Sequence, residues 1–207
     1  MPLTLHDELA AFYERNGFGP VLGARPRTVP VFTGCLLVPL PNIEVRHRYL
    51  KYHDLHHLVT GYTVGRIGEG EVSAWELGSG SAFVSPTLGV MNLIALSTGL
   101  VLQPRRMWRA FVRGTKSRNL YRAETRADVD AGKWPDLPAL RAQCLEVTEM
   151  RGPLLLRIAE FGVYSVVAMC IHAAIAGPAV VARFITDIML GYSVFQAVKP
   201  KKRNDLY

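Results

Sequence analysis

Cysteine is scarce in this 207-residue sequence, and the three residues present are far apart: Cys35, Cys144 and Cys170. An odd number of cysteines without a CxxC pair does not make a disulfide framework. We therefore expect buried free thiols in a protein of a reducing compartment.

The sequence also lacks targeting, repeat and low-complexity segments. Its first residues carry acids early and contain no apolar run, unlike a secretory signal or an Arg-rich transit peptide. We expect a bacterial cytoplasmic protein. Strand signals are few, and only Pro30–Leu40 resembles a short strand, so the expected fold class is all-α.

The residues that are abundant are apolar or basic. Hydrophobic residues make up 49% of the chain, and the mean hydropathy is +0.15. The formal net charge is +7. This balance favours an anionic partner, and the apolar composition suggests a membrane.

One long stretch carries no charge, because no charged residue lies between Glu160 and Arg183. That interval is about as long as a membrane-spanning helix requires. We therefore divide the chain into a helical domain (1–151) and an apolar helical tail (152–207). Gly177-Pro178 interrupts the tail, which predicts an apolar helical hairpin that contacts the membrane.

Two neighbouring segments have the pattern of helices. Ile43–Gly61 contains no proline and no glycine before Gly61, which is a plausible C-cap. After a glycine-rich loop, Glu69 opens a second helix with acids in its first turn, as the helix dipole favours. A helix, a short turn and a returning helix would bring Glu69 back over the first helix.

The segment HDLHH places metal-binding side chains on the first of these helices. His53 and His57 are four residues apart, so they share a helical face. Two imidazoles at that spacing can bind one ion at about 2.0–2.1 Å per bond. Asp54 either ligates the ion or orients a ligand imidazole. The sequence therefore predicts a divalent metal site that also includes Glu69.

These ligands suit zinc first, and iron or magnesium remain alternatives. The competing interpretation is that the histidines are structural. His56 can pair with His53, but we expect it to point away from the metal and to be solvated or buried. We expect structural roles for His6, His47 and His172.

At these residues the sequence resembles a known family. HDLHHLVTGYTVGRIGE (residues 53–69) fits HDxxH followed by eleven residues and Glu, the motif of the ubiquinone biosynthesis protein called coenzyme Q biosynthesis protein 4. Gly61, Trp75 and Glu76 fall in register with that family, as does NLYR at Asn119–Arg122. The resemblance covers roughly residues 46–147.

The resemblance implies an all-α, membrane-peripheral protein that holds a divalent metal through His53, Asp54, His57 and Glu69. It implies binding of a polyprenylated hydroxybenzoate or quinone intermediate, and an association with other quinone-biosynthesis proteins. It also implies a metal-dependent lyase that removes the ring carboxylate oxidatively, with hydroxylation at that carbon. No catalytic residue is singled out.

Two other functions stay open. The first is a non-catalytic prenyl-lipid-binding scaffold of the biosynthetic complex. The second is an HD-type metal phosphohydrolase, which also needs an upstream histidine and a downstream aspartate. His47 and Asp128 are poor candidates for those positions.

Basic residues predict the surface partner. Arg105, Arg109 and Arg113 share one helical face, and further basic residues follow the apolar tail: Lys199, Lys201, Lys202 and Arg203. A solvated helical face explains the first group equally well. The second group directly follows an apolar run, and this order favours binding to an anionic membrane surface at the cytoplasmic face of the inner membrane. Nucleic acid is not expected, since the sequence contains no nucleic-acid recognition motif. We also expect a homo-oligomer.

Overall fold

The computed structural model of the chain describes residues 3–18, 27–33, 36–145, 152–191 and 193. Helices dominate these residues, and two strands form one small antiparallel sheet, so the expected helical class is confirmed. The elements in chain order are α1 (Leu5–Asn16), β1 (Thr28–Thr33), β2 (Leu36–Pro41), α2 (Glu44–Thr60), α3 (Arg66–Gly78), α4 (Ser81–Val84), α5 (Pro86–Leu102), α6 (Pro104–Thr115), α7 (Ala123–Asp130), α8 (Leu137–Leu145) and α9 (Leu154–Met189).

The two helices expected to carry the metal site are present. α2 ends at Gly61, which adopts a left-handed φ of 79° and donates its N–H to the His57 carbonyl at 2.8 Å. Glycine suits this position because it has no Cβ to clash there. α3 begins at Arg66, so Glu69 lies within the first turn instead of opening the helix. The chain between α2 and α3 is short, and this brings the two helices side by side.

α3 lies at the centre of the structure, and almost all of its residues are buried. Its Trp75 and Leu77 belong to a hydrophobic cluster that includes Leu96 of α5 and Phe111 of α6. A second cluster lies under α1, α2 and α8. The candidate metal site lies on α2 and α3, so both clusters support it.

α3 and α6 approach so closely that two glycines leave no room for a side chain. A Cβ on Gly78 would overlap the carbonyl oxygen of Phe111, and a Cβ on Gly114 would overlap that of Trp75. Both obstacles are backbone atoms, which cannot move unless the helices separate. This contact fixes the position of α3 and of the acidic residues on it.

The segment expected to form one short strand forms a hairpin instead. β1 and β2 pair in antiparallel register, with Pro30 opposite Pro39. Each strand of this two-stranded sheet has only one neighbour, which is why each tolerates a proline that lacks an N–H donor.

The apolar tail is one continuous helix, so the expected break at Gly177-Pro178 is wrong. Proline removes only one hydrogen bond from this helix of 36 residues, and the turns on either side remain intact. The apolar run that follows Asp187 in the sequence (residues 188–198) lies mostly outside the described residues.

α9 is long and apolar enough to cross a membrane, judged by length and composition. Only 6% of its most apolar window is buried. The free Cys170 is exposed on this helix, contrary to expectation, whereas the free Cys144 is buried as expected. Cys35 lies outside the described residues.

The glycine contact between α3 and α6 generates the first prediction. Gly114→Ala should lower the free energy of unfolding by about 2 kcal/mol or more, because the added methyl group forces the two helices apart. Urea unfolding followed by circular dichroism measures this. Gly162→Ala is the control, since a Cβ there meets no atom within 4 Å. Equal stability of the two variants would contradict the close contact.

Candidate metal centre

The hydrogen bonds of His57 leave its Nε2 atom facing the site as a bare acceptor. The Nδ1 atom lies 3.0 Å from the carbonyl oxygen of Tyr62. A carbonyl can only accept, so the proton of the neutral ring is on Nδ1 and the lone pair is on Nε2. The ring is buried and stacks on Phe12 of α1 at a centroid distance of 6.0 Å. Its orientation is therefore fixed before any ligand arrives.

His53 has a matching arrangement. Its Nδ1 atom lies 2.9 Å from Oε1 of Glu76, and its Nε2 atom lies 3.3 Å from Oε2 of Glu69. Donation from Nδ1 to a buried carboxylate orients the ring and increases its basicity, as in carboxylate–histidine–metal arrangements. The Nε2 atom thus faces the same point as that of His57.

The three candidate ligand atoms converge. The Nε2 atoms of His53 and His57 are 3.3 Å apart, and Oε1 of Glu69 is 3.4 Å from Nε2 of His57. One donor atom from each residue lies within 4.8 Å of the others. Two Zn–N bonds of about 2.0–2.1 Å at the tetrahedral angle place the nitrogens about 3.3–3.4 Å apart. His53, His57 and Glu69 can therefore hold a metal ion.

Glu76 is the functional residue that sequence reasoning left without a role. It is fully buried, and its Oε1 atom lies 2.9 Å from His53 Nδ1, 2.7 Å from His56 Nδ1 and 2.7 Å from the hydroxyl of Tyr121. Its Oε2 atom has no hydrogen-bond partner among the described residues. The spacing between Glu69 and Glu76 is two helical turns, and that signal places both acids on the site-facing side of α3.

His56 is buried and hydrogen bonded, which agrees with the expectation that it points away from the metal. The backbone N–H of Leu120 donates to its Nε2 atom at 2.9 Å. The neutral ring therefore carries its proton on Nδ1 and donates it to Glu76. Burial lowers the pKa of His56, which keeps the ring neutral. His56 thus links α2 to α3 and to the segment before α7.

Asp54 lies beside the group of three and is not one of its members. It is buried, and its Oδ2 atom accepts a hydrogen bond from the hydroxyl of Tyr13 at 3.0 Å. Burial raises the pKa of this carboxyl, although the nearby His53 opposes the rise. These contacts place Asp54 between α1 and the site, where it lines the adjoining cavity.

Charge is balanced within the site by a proton when no cation is bound. Burial disfavours the charged form of His53, but the carboxylates of Glu76 and Glu69 outweigh it and raise the pKa of His53 well above its usual value. Burial likewise opposes ionisation of Glu69 and Glu76, yet the neighbouring histidines lower the pKa of both. A bound cation takes over the role of that proton.

A cavity of about 1060 Å³ adjoins two of the three candidate ligands, His53 and Glu69. His53, Asp54 and Glu69 line it at the site, and most of its other walls are apolar side chains of the hairpin, α2, α5 and α9, among them Val29, Val31, Leu40, Leu50, Met91, Ile94 and Ile175. The metal site therefore lies at one wall of a large, mostly apolar chamber.

Three further candidates from the sequence lie outside the group of three. The Nδ1 atom of His172 is 3.1 Å from the hydroxyl of Ser97 and joins α9 to α5. Asp128 forms an ion pair with Lys133 at 2.7 Å and is outside the group of three. Arg113 donates to the Thr60 carbonyl at 2.8 Å, so it caps the end of α2 and is not a free surface cation.

Comparisons with protein-family models, with curated protein sequences and with solved structures found no match for this chain.

Three glutamates on α3 make a graded test of the site. Glu69→Gln should lose most of the bound metal, because it removes a ligand charge. Glu76→Gln should weaken affinity by about 10–100-fold, since it leaves the three candidate ligands in place but disturbs the orientation of His53. Glu71→Gln is the control, because Glu71 pairs with Arg106 at 2.7 Å. Chelator competition and elemental analysis measure all three, and an unchanged Glu69→Gln variant would refute the site.

Metal affinity should rise with pH, because binding must displace the proton that His53 holds in the metal-free protein. At pH values below the raised pKa of His53, displacement of this one proton should increase the apparent affinity for the metal about tenfold per pH unit. Chelator competition at several pH values and proton release in weak buffer measure it. Glu76→Gln removes the largest charge that raises this pKa, so the affinity of this variant should stop rising at a lower pH than that of the unmodified chain. A flat profile for the unmodified chain would contradict the assignment.

Proposed function

We propose that this chain is a metal-dependent protein of ubiquinone biosynthesis that binds a polyprenylated hydroxybenzoate and promotes oxidative loss of its ring carboxylate. The observation that carries the proposal is the position of the His53–His57–Glu69 group at the wall of a large apolar cavity. A ligand with a polar aromatic head and an isoprenoid tail fits both parts. The resemblance over residues 46–147 supports the pathway.

Zinc is the first choice of metal. Two imidazole nitrogens and a carboxylate suit zinc, and the nitrogen separation in the site matches tetrahedral zinc geometry. The same donors suit ferrous iron, whereas magnesium prefers all-oxygen surroundings. When bound, the ion supplies Lewis-acid stabilisation of negative charge on the carboxylate or phenolic oxygen of the ring.

The side chains of the protein provide binding, orientation and proton handling. The apolar walls of α5 and the hairpin hold the isoprenoid tail and exclude water from the ring. Asp54, with its raised pKa and its hydrogen bond from Tyr13, can take or return a proton beside the ring. Glu76 keeps His53 in the required orientation.

The proposed reaction needs a partner for its electrons. The bond between the ring and its carboxylate breaks, carbon dioxide leaves, and a C–O bond forms at the same carbon. If water supplies that oxygen, two electrons and one proton are released for each ring. Zinc has no redox chemistry, so an oxidised flavoprotein of the biosynthetic complex would accept the electrons. This requirement supports an association with other quinone-biosynthesis proteins.

The second candidate function is a non-catalytic prenyl-lipid-binding scaffold. The ligands come from α2 and α3, so a bound metal would also join these two helices, and such a role needs no chemistry. The phosphohydrolase alternative is weaker, because Asp128 is paired with Lys133 and lies outside the ligand group. Attachment to a membrane is supported by the long apolar helix α9, and the cytoplasmic face of the inner membrane is part of the proposal.

Complementation separates the enzyme from the scaffold. In a bacterial strain that lacks coenzyme Q biosynthesis protein 4, this chain should restore quinone, measured by extraction and mass spectrometry. Glu69→Gln should restore none, and Glu71→Gln should restore normal amounts. Restoration by a Glu69→Gln protein shown to be metal-free would favour the scaffold. No restoration by the unmodified, metal-loaded chain would argue against the pathway.

A further inference from the structure

α9 has one face that is committed to the body of the protein. Side chains at alternating intervals of three and four residues form a single seam along the helix: Phe161, Tyr164, Ala168, Ile171 and Ile175. Four of them contact the hydrophobic cluster of α3, α5 and α6, and Ile175 lines the cavity. Rings of Trp108 and Phe111 on α6 lie 5.2 Å and 5.1 Å from the ring of Phe161. This spacing is that of a helix packed along its length against neighbours.

The opposite face of α9 is apolar and exposed. Val163, Val166 and Val181 are 61%, 65% and 57% exposed. The hydroxyl of Ser165 donates to the Phe161 carbonyl at 2.8 Å, so it needs no water for its proton. The charged side chains of the helix pair with one another near its two ends, Arg157 with Glu160 and Arg183 with Asp187. An apolar face of this extent marks a binding surface.

A membrane-spanning position conflicts with the seam. α9 is about 54 Å long, and it contacts α6 through Phe161 and α5 through the hydrogen bond of His172. A helix that crosses a bilayer would carry these neighbours into the hydrocarbon region. α6 contains Arg105, Arg106 and Arg109, and charge at that depth is costly. A helix that lies along the surface keeps both its seam and the charges of α6 in place.

The helix that packs against the seam of α9 carries exposed basic residues. Trp108 contacts α9, and Arg105 and Arg109 lie three residues before and one residue after it on α6, both exposed. Further lysines and an arginine follow α9 in the sequence at 199–203. Together with the formal net charge of +7, these exposed arginines favour anionic headgroups as the partner, while the exposed apolar side chains of α9 can enter the lipid.

We propose that α9 lies in the plane of an anionic membrane, with Val163, Val166 and Val181 at the boundary between headgroups and acyl chains. The inference deepens the membrane location in the proposed function by fixing the mode of attachment. Because Ile175 of the same helix lines the cavity, one wall of the cavity is then formed by the membrane-bound helix. The long tail of a prenylated ligand can pass from the bilayer into the cavity along α9 without crossing bulk water.

Vesicle sedimentation tests the surface. The full-length chain should bind to vesicles of phosphatidylcholine with added phosphatidylglycerol. It should bind less tightly to vesicles of phosphatidylcholine alone. The double variant Val163→Glu/Val166→Glu should lose about tenfold or more of this binding. Ala142→Glu/Gln143→Glu is the control, because it makes the same charge change at exposed positions of α8. Arg105→Gln and Arg109→Gln should each weaken binding by about fivefold.

The exposed Cys170 reports the mode of attachment, because it lies near the middle of α9. A fluorophore on Cys170, in a Cys35→Ser background, should be quenched more by lipids spin-labelled near the headgroup than by lipids labelled at the chain end. Labels placed at Val163→Cys and Val181→Cys, in a background that also carries Cys170→Ser, should show the same shallow depth. Metal content, measured on every variant, separates a membrane defect from a loss of the metal site.

Three results would overturn the proposal. A spanning helix would be indicated if the Cys170 label were quenched most by lipids spin-labelled at the end of the acyl chain, while the labels at Val163→Cys and Val181→Cys were quenched most by lipids labelled near the headgroup. Failure of the unmodified chain to bind anionic vesicles would remove the membrane as partner. Dimerisation without vesicle binding, abolished by Val163→Glu/Val166→Glu, would assign the face to a second copy of the chain.

Discussion

The carboxylate of Glu76 is the interaction on which the site depends. One buried oxygen faces two imidazole Nδ1 atoms and a phenol hydroxyl, so a single side chain sets the direction of His53 and His56 and the position of Tyr121. A buried charge without partners is very costly, and this one is retained because three donors meet its Oε1 atom. The outward direction of the His53 Nε2 atom, and with it the ability to bind metal, follows from that arrangement.

Much of the site could be predicted from the sequence because the decisive information is local. The i, i+4 spacing of His53 and His57, and a helix that ends at Gly61, are enough to place two imidazoles together and to return Glu69 toward them. Glu76 is placed on the same side of α3 as Glu69 by its spacing of two helical turns, but Tyr121 and Tyr13 could not be assigned in the same way. Their roles depend on where distant segments dock against α2, and no periodicity in the sequence specifies that docking.

The fold shows the same division between local and distant information. Helix ends set by Gly61 and Pro86 were predictable from backbone chemistry. The continuity of α9 through Pro178 was not, because a proline signal marks a lost hydrogen bond and does not show whether neighbouring turns survive it. The exposure of Cys170 depends on the orientation of α9 on the body, which composition leaves undetermined.

The short connection between α2 and α3 also determines the order in which the centre can assemble. The pair His53 and Glu69 is separated by 16 residues, so closing that loop costs little entropy. The contact of Tyr121 with Glu76 spans 45 residues, and that of Leu120 with His56 spans 64. During synthesis the ligands therefore leave the ribosome and can meet well before the segment that orients them. An ion captured at that stage would act as a nucleus for the remaining helices.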